Sequence, residues 1–305
     1  MISHAYAEVN GVRLHYARAG AGPLVLFLHG FPEFWYAWRR QLEEFGRDRF
    51  AVAPDMRGYN LSDKPADLEQ YRMPHLVADV RALAEHLGDL HLGRDALGLR
   101  PRVRPDLRRF TLVGHDWGGA VAWAFALRHP EWLERLIIVN APHPAVFQRE
   151  LAENPAQKMA SRYMLLFRSP GAEATLSADG YRGLDDIVLR PGLERGYLTE
   201  EDRAAYLAAW SRPGALTGGL NYYRANRAGP GGPVPERREP FPPVTVPTLV
   251  IWGERDTALL TGNLVGLEDY VRDLTIRRIP DGTHWVIHEQ PERVNGYIRD
   301  FLAGG

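Results

Sequence analysis

One acidic residue, Asp116, follows an apolar segment and precedes an alanine-rich segment with helical spacing. The run from Phe110 to Asp116 lacks alternation, which predicts a strand buried on both faces. Gly114 and Gly118 flank the acid and permit a tight strand-to-helix turn. An aspartate has a reference pKa of about 3.9, so it is ionised at neutral pH and could attack a saturated carbon without help from a base. The alternative is that Asp116 only caps the following helix, because Asp is a favoured N-cap residue.

Two later segments offer the partners that a nucleophilic acid would need. Asp256 follows one predicted strand, and His284 lies in a glycine-containing turn after the last one. Of the 11 histidines, only His284 has this position, from which a loop can aim it back at Asp116. We therefore predict that His284 is a general base held by Asp256. Asn140 also ends a strand and competes for the place of the second acid, but it is not a carboxylate.

A third segment, Leu28 to Arg39, supplies hydrogen-bond donors. Its strand ends in His-Gly, which places the backbone N–H of Phe31 beside the turn that carries Asp116. With the N–H of Trp117 it would form an oxyanion hole. The alternative is a plain turn before a helix. His29 and His115 lie outside the place of a general base and are interpreted as structural.

The elements that must position these residues alternate between strands and helices. Asn10-Gly11 predicts a two-residue hairpin turn near the start of the chain. Helical segments cover residues 36–45 and 73–90. The predicted buried strands are Pro23 to Gly30, Phe50 to Asp55, Phe110 to Asp116, Arg135 to Pro142, Pro247 to Asp256 and Leu274 to Gly282. This order predicts an α/β fold, with a mostly parallel sheet covered by helices on both faces.

The alternation stops between about residues 143 and 247. Residues 144–240 are predicted to form an inserted helical cap that ends in a Pro/Gly-rich linker. Residues 1–143 and 241–305 then make up the core. Thr199 and Asp202 have the spacing of a capping arrangement at a helix start. The charged, proline-broken loop at residues 91–109 is longer than a helix-to-strand link needs, and we assign it no function.

Composition narrows the class of protein. A formal net charge of −1 over 305 residues gives no electrostatic case for binding nucleic acid or an anionic membrane. There is no cysteine, which excludes disulfides and thiolate chemistry. The chain also lacks a signal peptide and an apolar run near the roughly 20 residues of a membrane span. These features predict a cytoplasmic protein. We expect no nucleotide cofactor, since no Gly-rich phosphate cradle is present, and no metal.

Together these motifs resemble the epoxide hydrolases of the α/β-hydrolase superfamily over nearly the whole chain. The matching segments are HGFPEFWYAWR, DMRGYNLSDKP, GHDWGG, WGERD and DGTHW, in the family's order. The order nucleophile, acid, histidine is also that of the α/β-hydrolase fold, whose serine members carry Gly-x-Ser-x-Gly at the turn. Asn60 stands where the family usually has glycine, and asparagine tolerates left-handed backbone better than most residues.

The resemblance implies hydrolysis of a small apolar epoxide by water, through an alkyl ester on Asp116. It also implies two cap tyrosines whose hydroxyls hold the epoxide oxygen. The segment GLNYYRAN puts Tyr223 in that role, and SRYMLLFRSPGAE puts Tyr163 there. The alternative is that both tyrosines are packing residues of an amphipathic cap, which 13 tyrosines would supply. The protein is expected to be a monomer or a homodimer.

Two other functions remain open at this stage. A haloalkane dehalogenase would use the same Asp-His-Asp set, because a halide also leaves when a carboxylate attacks its carbon. Many of those enzymes carry Asn after His-Gly, whereas this chain has Phe31. A protein of the same fold could also bind a small ligand and turn it over slowly. Product analysis with an epoxide and a bromoalkane would separate the three.

Overall fold

The computed structural model describes residues 1–91, 109–232 and 241–304 of the 305. Its centre is an eight-stranded sheet in the order β1-β2-β4-β3-β5-β6-β7-β8. The strands are β1 Ser3–Val9, β2 Val12–Ala19, β3 Leu24–Leu28, β4 Phe50–Pro54, β5 Phe110–His115, β6 Leu133–Val139, β7 Thr248–Gly253 and β8 Leu274–Ile279. β2 pairs antiparallel with β1 and β4, and the remaining pairs are parallel. The predicted α/β fold with a mostly parallel sheet is confirmed.

The sequence explains the burial of these strands. Asn10 and Gly11 both take positive φ, 48° and 75°, as the tight hairpin between β1 and β2 requires. Five of the six strands predicted to be buried lie inside the sheet, and every residue of β5 and β7 is buried. The prediction is wrong for Leu274 to Gly282, which contains β8. β8 is an edge strand, so most of its residues are only partly covered.

Helices cover both faces of the sheet. The core helices are α1 Arg39–Phe45, α2 Met73–His91, α3 Trp117–Arg128, α11 Val286–Glu289 and α12 Pro291–Ala303. Side chains of α1 and α12 pack with Val113 of β5 on one face, whereas α2 and α3 pack with its neighbour Leu112 on the other. Successive residues of a strand thus pack against the helices on opposite faces of the sheet. No helix within the described ranges is long and apolar enough to cross a membrane.

An inserted helical region lies between β6 and β7, and we call it the cap. Its helices are α4 Pro144–Glu153, α5 Pro155–Ala160, α6 Tyr163–Arg168, α7 Ala172–Leu184, α8 Arg190–Arg195, α9 Glu200–Trp210 and α10 Ala215–Ala225. Thr199 and Asp202 form a capping box at the start of α9. The predicted linker falls partly outside the described residues, as does nearly all of the loop at 91–109.

Candidate active site

Asp116 occupies the turn between β5 and α3. Its backbone has φ 50° and ψ −120°, a left-handed conformation that costs energy in a residue other than glycine. It stands at the N-cap of α3, yet its side chain makes no capping hydrogen bond. Its Oδ1 instead accepts a hydrogen bond of 2.8 Å from the backbone N–H of Phe31. The side chain therefore points away from the helix, and the capping alternative is wrong.

Two glycines beside Asp116 lie too close to neighbouring atoms to be replaced by a residue with a side chain. A Cβ built on Gly118 would lie 2.2 Å from the carbonyl oxygen of Leu28. A Cβ on Gly30 would lie 2.3 Å from both Cβ and Oδ1 of Asp116. The loop after β3 can approach Asp116 closely enough to donate from Phe31 only because Gly30 lacks a side chain.

The predicted acid and histidine lie beside Asp116. Nδ1 of His284 is 2.7 Å from Oδ2 of Asp256, and its Nε2 is 3.6 Å from Oδ2 of Asp116. Asp256 is buried, and the His284 side chain is 12% exposed. The imidazole thus lies between two carboxylates, in hydrogen-bond contact with one and within charge range of the other.

The charge on this imidazole is set by its neighbours. Burial acts to lower the pKa of His284, but the negative charge and hydrogen bond of Asp256, together with the charge of Asp116, raise it to about 9. The positive imidazolium in turn lowers the pKa of Asp256, against the effect of that carboxyl's own burial. At neutral pH the free protein therefore holds a protonated His284 between Asp116 and Asp256.

Asp256 is held by four donors. The N–H groups of Ala258 and Leu259 each donate to Oδ1 at 2.8 Å. Asn140 donates to Oδ2 at 2.8 Å, beside the bond to His284. Sequence reasoning considered Asn140 only as a rival for the acid. Its location at the end of β6, next to β7, was the signal that could have shown it to be a supporting donor.

A second buried polar cluster lies behind His284. Nε2 of His115 is 2.8 Å from the carbonyl oxygen of His284, and its Nδ1 is 3.2 Å from Glu33. Glu33 also contacts Nε2 of His288 at 2.5 Å and accepts from Tyr206 at 3.1 Å. Although burial acts to raise the pKa of Glu33, the charges and hydrogen bonds of His288 and His115 hold it well below its usual value. Sequence reasoning missed this cluster, because its members are as many as 255 residues apart.

The two cap tyrosines lie together over the site. The rings of Tyr163 and Tyr223 are 6.4 Å apart, and that of Tyr223 packs 5.1 Å from Trp117. Burial raises the pKa of both phenols well above their usual value, and the charge of Asp116 raises each further. A hydrogen bond with Tyr223 acts in the opposite direction on Tyr163. Both phenols therefore stay protonated beside the charge of Asp116.

A cavity of about 470 Å³ opens in front of Asp116. Trp117 and Tyr223 line it beside Asp116, and it continues along α3 to Arg128. Most of its wall is apolar and includes Ala120, Ala124, Leu127, Phe147, Met164 and Phe241. Such a cavity suits a small apolar molecule with one reactive polar group. Within the residues that the structure describes, no cluster of His, Asp or Glu could hold a metal ion.

Comparison with known proteins assigns the fold to a family. Residues 25–296 match the model of the alpha/beta hydrolase family. The chain belongs to this family. Epoxide hydrolase 4 of Mus musculus is 36% identical over 98% of this chain and 79% of its own length. A Bacillus subtilis protein of the same superfamily is 38% identical over 97% of this chain and 96% of its own.

Solved structures of epoxide hydrolases are also similar to this chain over nearly its whole length. An epoxide hydrolase from Bacillus megaterium has a TM-score of 0.85 and 38% identity, covering 98% of this chain and all of its own. It has been solved with an inhibitor and, as a variant, with a naphthyloxy propanediol product. An epoxide hydrolase from hot-environment metagenomes has a TM-score of 0.82 and 37% identity over the full length of both chains.

Proposed function

We propose that this protein hydrolyses epoxides to vicinal diols through a covalent ester on Asp116. The observation that carries the proposal is the unequal placement of the two carboxylate oxygens. Oδ1 is held by the Phe31 N–H at 2.8 Å, whereas Oδ2 is the oxygen nearer His284. One oxygen is thus prepared to become the carbonyl oxygen of an ester, and the other to attack. The relatives named as epoxide hydrolases support this reaction.

In the first step, Oδ2 of Asp116 attacks one epoxide carbon from behind and the carbon–oxygen bond of the ring breaks. The departing alkoxide is too basic to leave without a proton donor. Tyr163 and Tyr223 are the donors that we assign to it, because both phenols stay protonated. The product is an alkyl ester of Asp116, and one phenol has given its proton to the new hydroxyl.

In the second step, His284 removes a proton from water, which attacks the ester carbon of Asp116. The charge that develops on Oδ1 already faces the Phe31 N–H. The N–H of Trp117, the first residue of α3, has no partner within the helix and is the second donor we propose. Each such donor is worth on the order of 3 kcal/mol in related sites. The bond between the ester carbon and the former Oδ2 then breaks, and the departing alkoxide takes the proton of the added hydroxyl and leaves as the diol. Asp116 is again a carboxylate, with one oxygen from water, and His284 keeps the proton that it removed.

The free site holds His284 protonated, whereas the second step needs a neutral imidazole, and ester formation provides the change. The charge of Asp116 contributes to the raised pKa of the free imidazole, about 9. Alkylation converts that carboxylate to a neutral ester and removes this contribution. The pKa of His284 then falls, so the imidazole gives up its proton, which restores the phenol that protonated the alkoxide, and the neutral imidazole can act as a base. Formation of the ester thereby activates the base that hydrolyses it.

The experiment is a single turnover in water enriched in ¹⁸O, with enzyme in excess over styrene oxide. The label should enter Asp116 and not the diol, because the diol takes its oxygen from the carboxylate. Label that enters the diol directly would contradict the ester. Bromide release from a bromoalkane, without diol formation from any epoxide, would assign the site to dehalogenation. Neither product, with thermal stabilisation by the epoxide, would indicate a binding protein.

A further inference from the structure

One cap residue outside the cavity makes every hydrogen bond that its side chain can make. Gln157, on α5, is completely buried. Its Nε2 donates to the carbonyl oxygen of Ala258 at 2.8 Å and to Oγ of Ser161 at 2.9 Å. Its Oε1 accepts from the N–H of Leu260 and from Asn263, both at 2.8 Å. A glutamine amide has two donors and two acceptor positions, so its hydrogen-bonding capacity is complete.

These contacts join the cap to the loop that follows Asp256. Ala258 and Leu259 donate their N–H groups to Asp256. Gln157 donates to the carbonyl oxygen of Ala258 and accepts from the N–H of Leu260, the residue after Leu259. The carboxylate of Asp256 and the amide of Gln157 therefore hold the same short backbone segment from two sides.

On the cap side, the contacts lead to Tyr163. Ser161, which accepts from Gln157, is also buried and lies two residues before Tyr163. The carbonyl oxygen of Ser161 accepts from the N–H of Met164 at 3.2 Å, at the start of α6. The backbone that carries Tyr163 is thus fixed to the residue that contacts the Asp256 loop.

We propose that Gln157 is a positioning residue. It holds the Asp256 loop and Tyr163 at the separation that the two reaction steps need. The proposal rests on the function proposed above. Gln157 touches no reacting atom, so it acts through the groups that it holds. A shift of about 1 Å in a group that positions the chemistry can cost on the order of a hundredfold in rate. One amide thereby links the part of the site that hydrolyses the ester to the part that forms it.

The chemistry of the amide makes this role specific. A leucine of similar size would leave the Leu260 N–H and the Ala258 carbonyl without their buried partner. A glutamate would keep the acceptor for Leu260 but, when ionised, would face the Ala258 carbonyl with no donor. Protonation would restore one O–H donor to that carboxyl.

The test compares Gln157→Leu and Gln157→Glu with Gln41→Leu. Gln41 is also completely buried, but it lies on α1 and bonds to Asn295 of α12. Single-turnover rate constants for ester formation and ester hydrolysis are measured per folded active site at several pH values. The titration of His284 is followed by NMR in the free proteins, a readout that needs no substrate.

We expect Gln157→Leu to slow both steps by about tenfold or more and to shift the pKa of His284. Gln41→Leu should leave both rate constants and the titration unchanged. For Gln157→Glu, the ratio of variant to wild-type hydrolysis rate should rise as the pH is lowered, because protonation restores the donor. If Gln157→Leu does not fold, the pH dependence of this rate ratio in Gln157→Glu tests the proposal.

The proposal is overturned if the Gln157 variants lose only thermal stability, with the rate constants, the pH dependence of the ratio and the His284 titration unchanged. Failure of the proposed function gives a different result. In that case the wild-type protein forms neither diol nor ester, while the NMR titration still reports whether Gln157 acts on His284.

Discussion

Nε2 of His284 lies 3.6 Å from Oδ2 of Asp116, which is near enough for strong charge interaction and too far for a good hydrogen bond. The oxygen that we propose as the nucleophile is therefore not bound to the imidazole. This separation is the basis of the predictions that concern His284.

We predict that His284→Gln forms the ester and does not hydrolyse it. The first step needs only the ionised Asp116 and the cap tyrosines, whereas the second step needs a base. Intact-mass measurement after addition of an epoxide should show one adduct, and peptide mapping should locate it on Asp116. The matched control is Asp116→Asn, which should take up no adduct. An adduct on another residue, or none in His284→Gln, would reject the two-step scheme.

A second prediction concerns the charge of His284. Asp116→Asn replaces the carboxylate with a neutral group of nearly the same shape, as esterification does. The pKa of His284, about 9 in the free protein, should be lower in this variant because one negative neighbour is gone. An NMR titration of the imidazole measures the difference directly. Equal pKa values in the two proteins would remove our account of how alkylation activates the base.

The same shift predicts how stability depends on pH. The folded-state pKa of about 9 lies above the ordinary value of 6.5 for His284, so its stabilising contribution is fully present below pH 6.5. It is lost as the pH rises through about 9. The loss should amount to about 3 kcal/mol, since one pKa unit is worth about 1.4 kcal/mol. Urea unfolding at both ends of this range measures it, and Asp116→Asn should lose less than the wild type.

The sequence located the groups proposed to react, together with Asp256 and the Phe31 N–H, but not the amides of Asn140 and Gln157. Asp116, Asp256 and His284 each follow a strand of a parallel sheet, and strand ends meet at one edge, so their proximity was predictable from order alone. Asn140 and Gln157 act through contacts with backbone and carboxylate groups more than 100 residues away. No local pattern marks such contacts, because an amide that will be buried looks the same in the sequence as an exposed one.

The cap tyrosines show a different limit of prediction from the sequence. Their segments were identified by family resemblance, since 13 tyrosines and helical spacing give no way to choose among them. The structure places the rings of Tyr163 and Tyr223 together, with Tyr223 against Trp117, as the proposed role requires. Separate rate constants for the two steps distinguish donors from packing residues.

We predict that Tyr223→Phe slows ester formation by on the order of a hundredfold, the cost of removing one such donor elsewhere, and slows ester hydrolysis much less. Tyr163→Phe should act in the same direction. The reason is that the phenols stabilise an alkoxide only while the ring opens. Rapid mixing with excess enzyme separates the two steps. If both rate constants fall equally in both variants, the tyrosines are packing residues and the proton-donor role is lost.

The last prediction tests the close approach of the loop after β3. In Gly30→Ala the added methyl group would lie 2.3 Å from Cβ and Oδ1 of Asp116, so the carboxylate must move away from the Phe31 N–H. We expect ester formation to fall by about a hundredfold, as displacement by about 1 Å can cost. The control is Gly296→Ala, on α12, where a new Cβ meets nothing within 4 Å. That variant should keep full activity and gain roughly 0.5–1 kcal/mol in unfolding free energy. Normal ester formation in a folded Gly30→Ala protein would mean that the contact between Phe31 and Asp116 does not position the nucleophile.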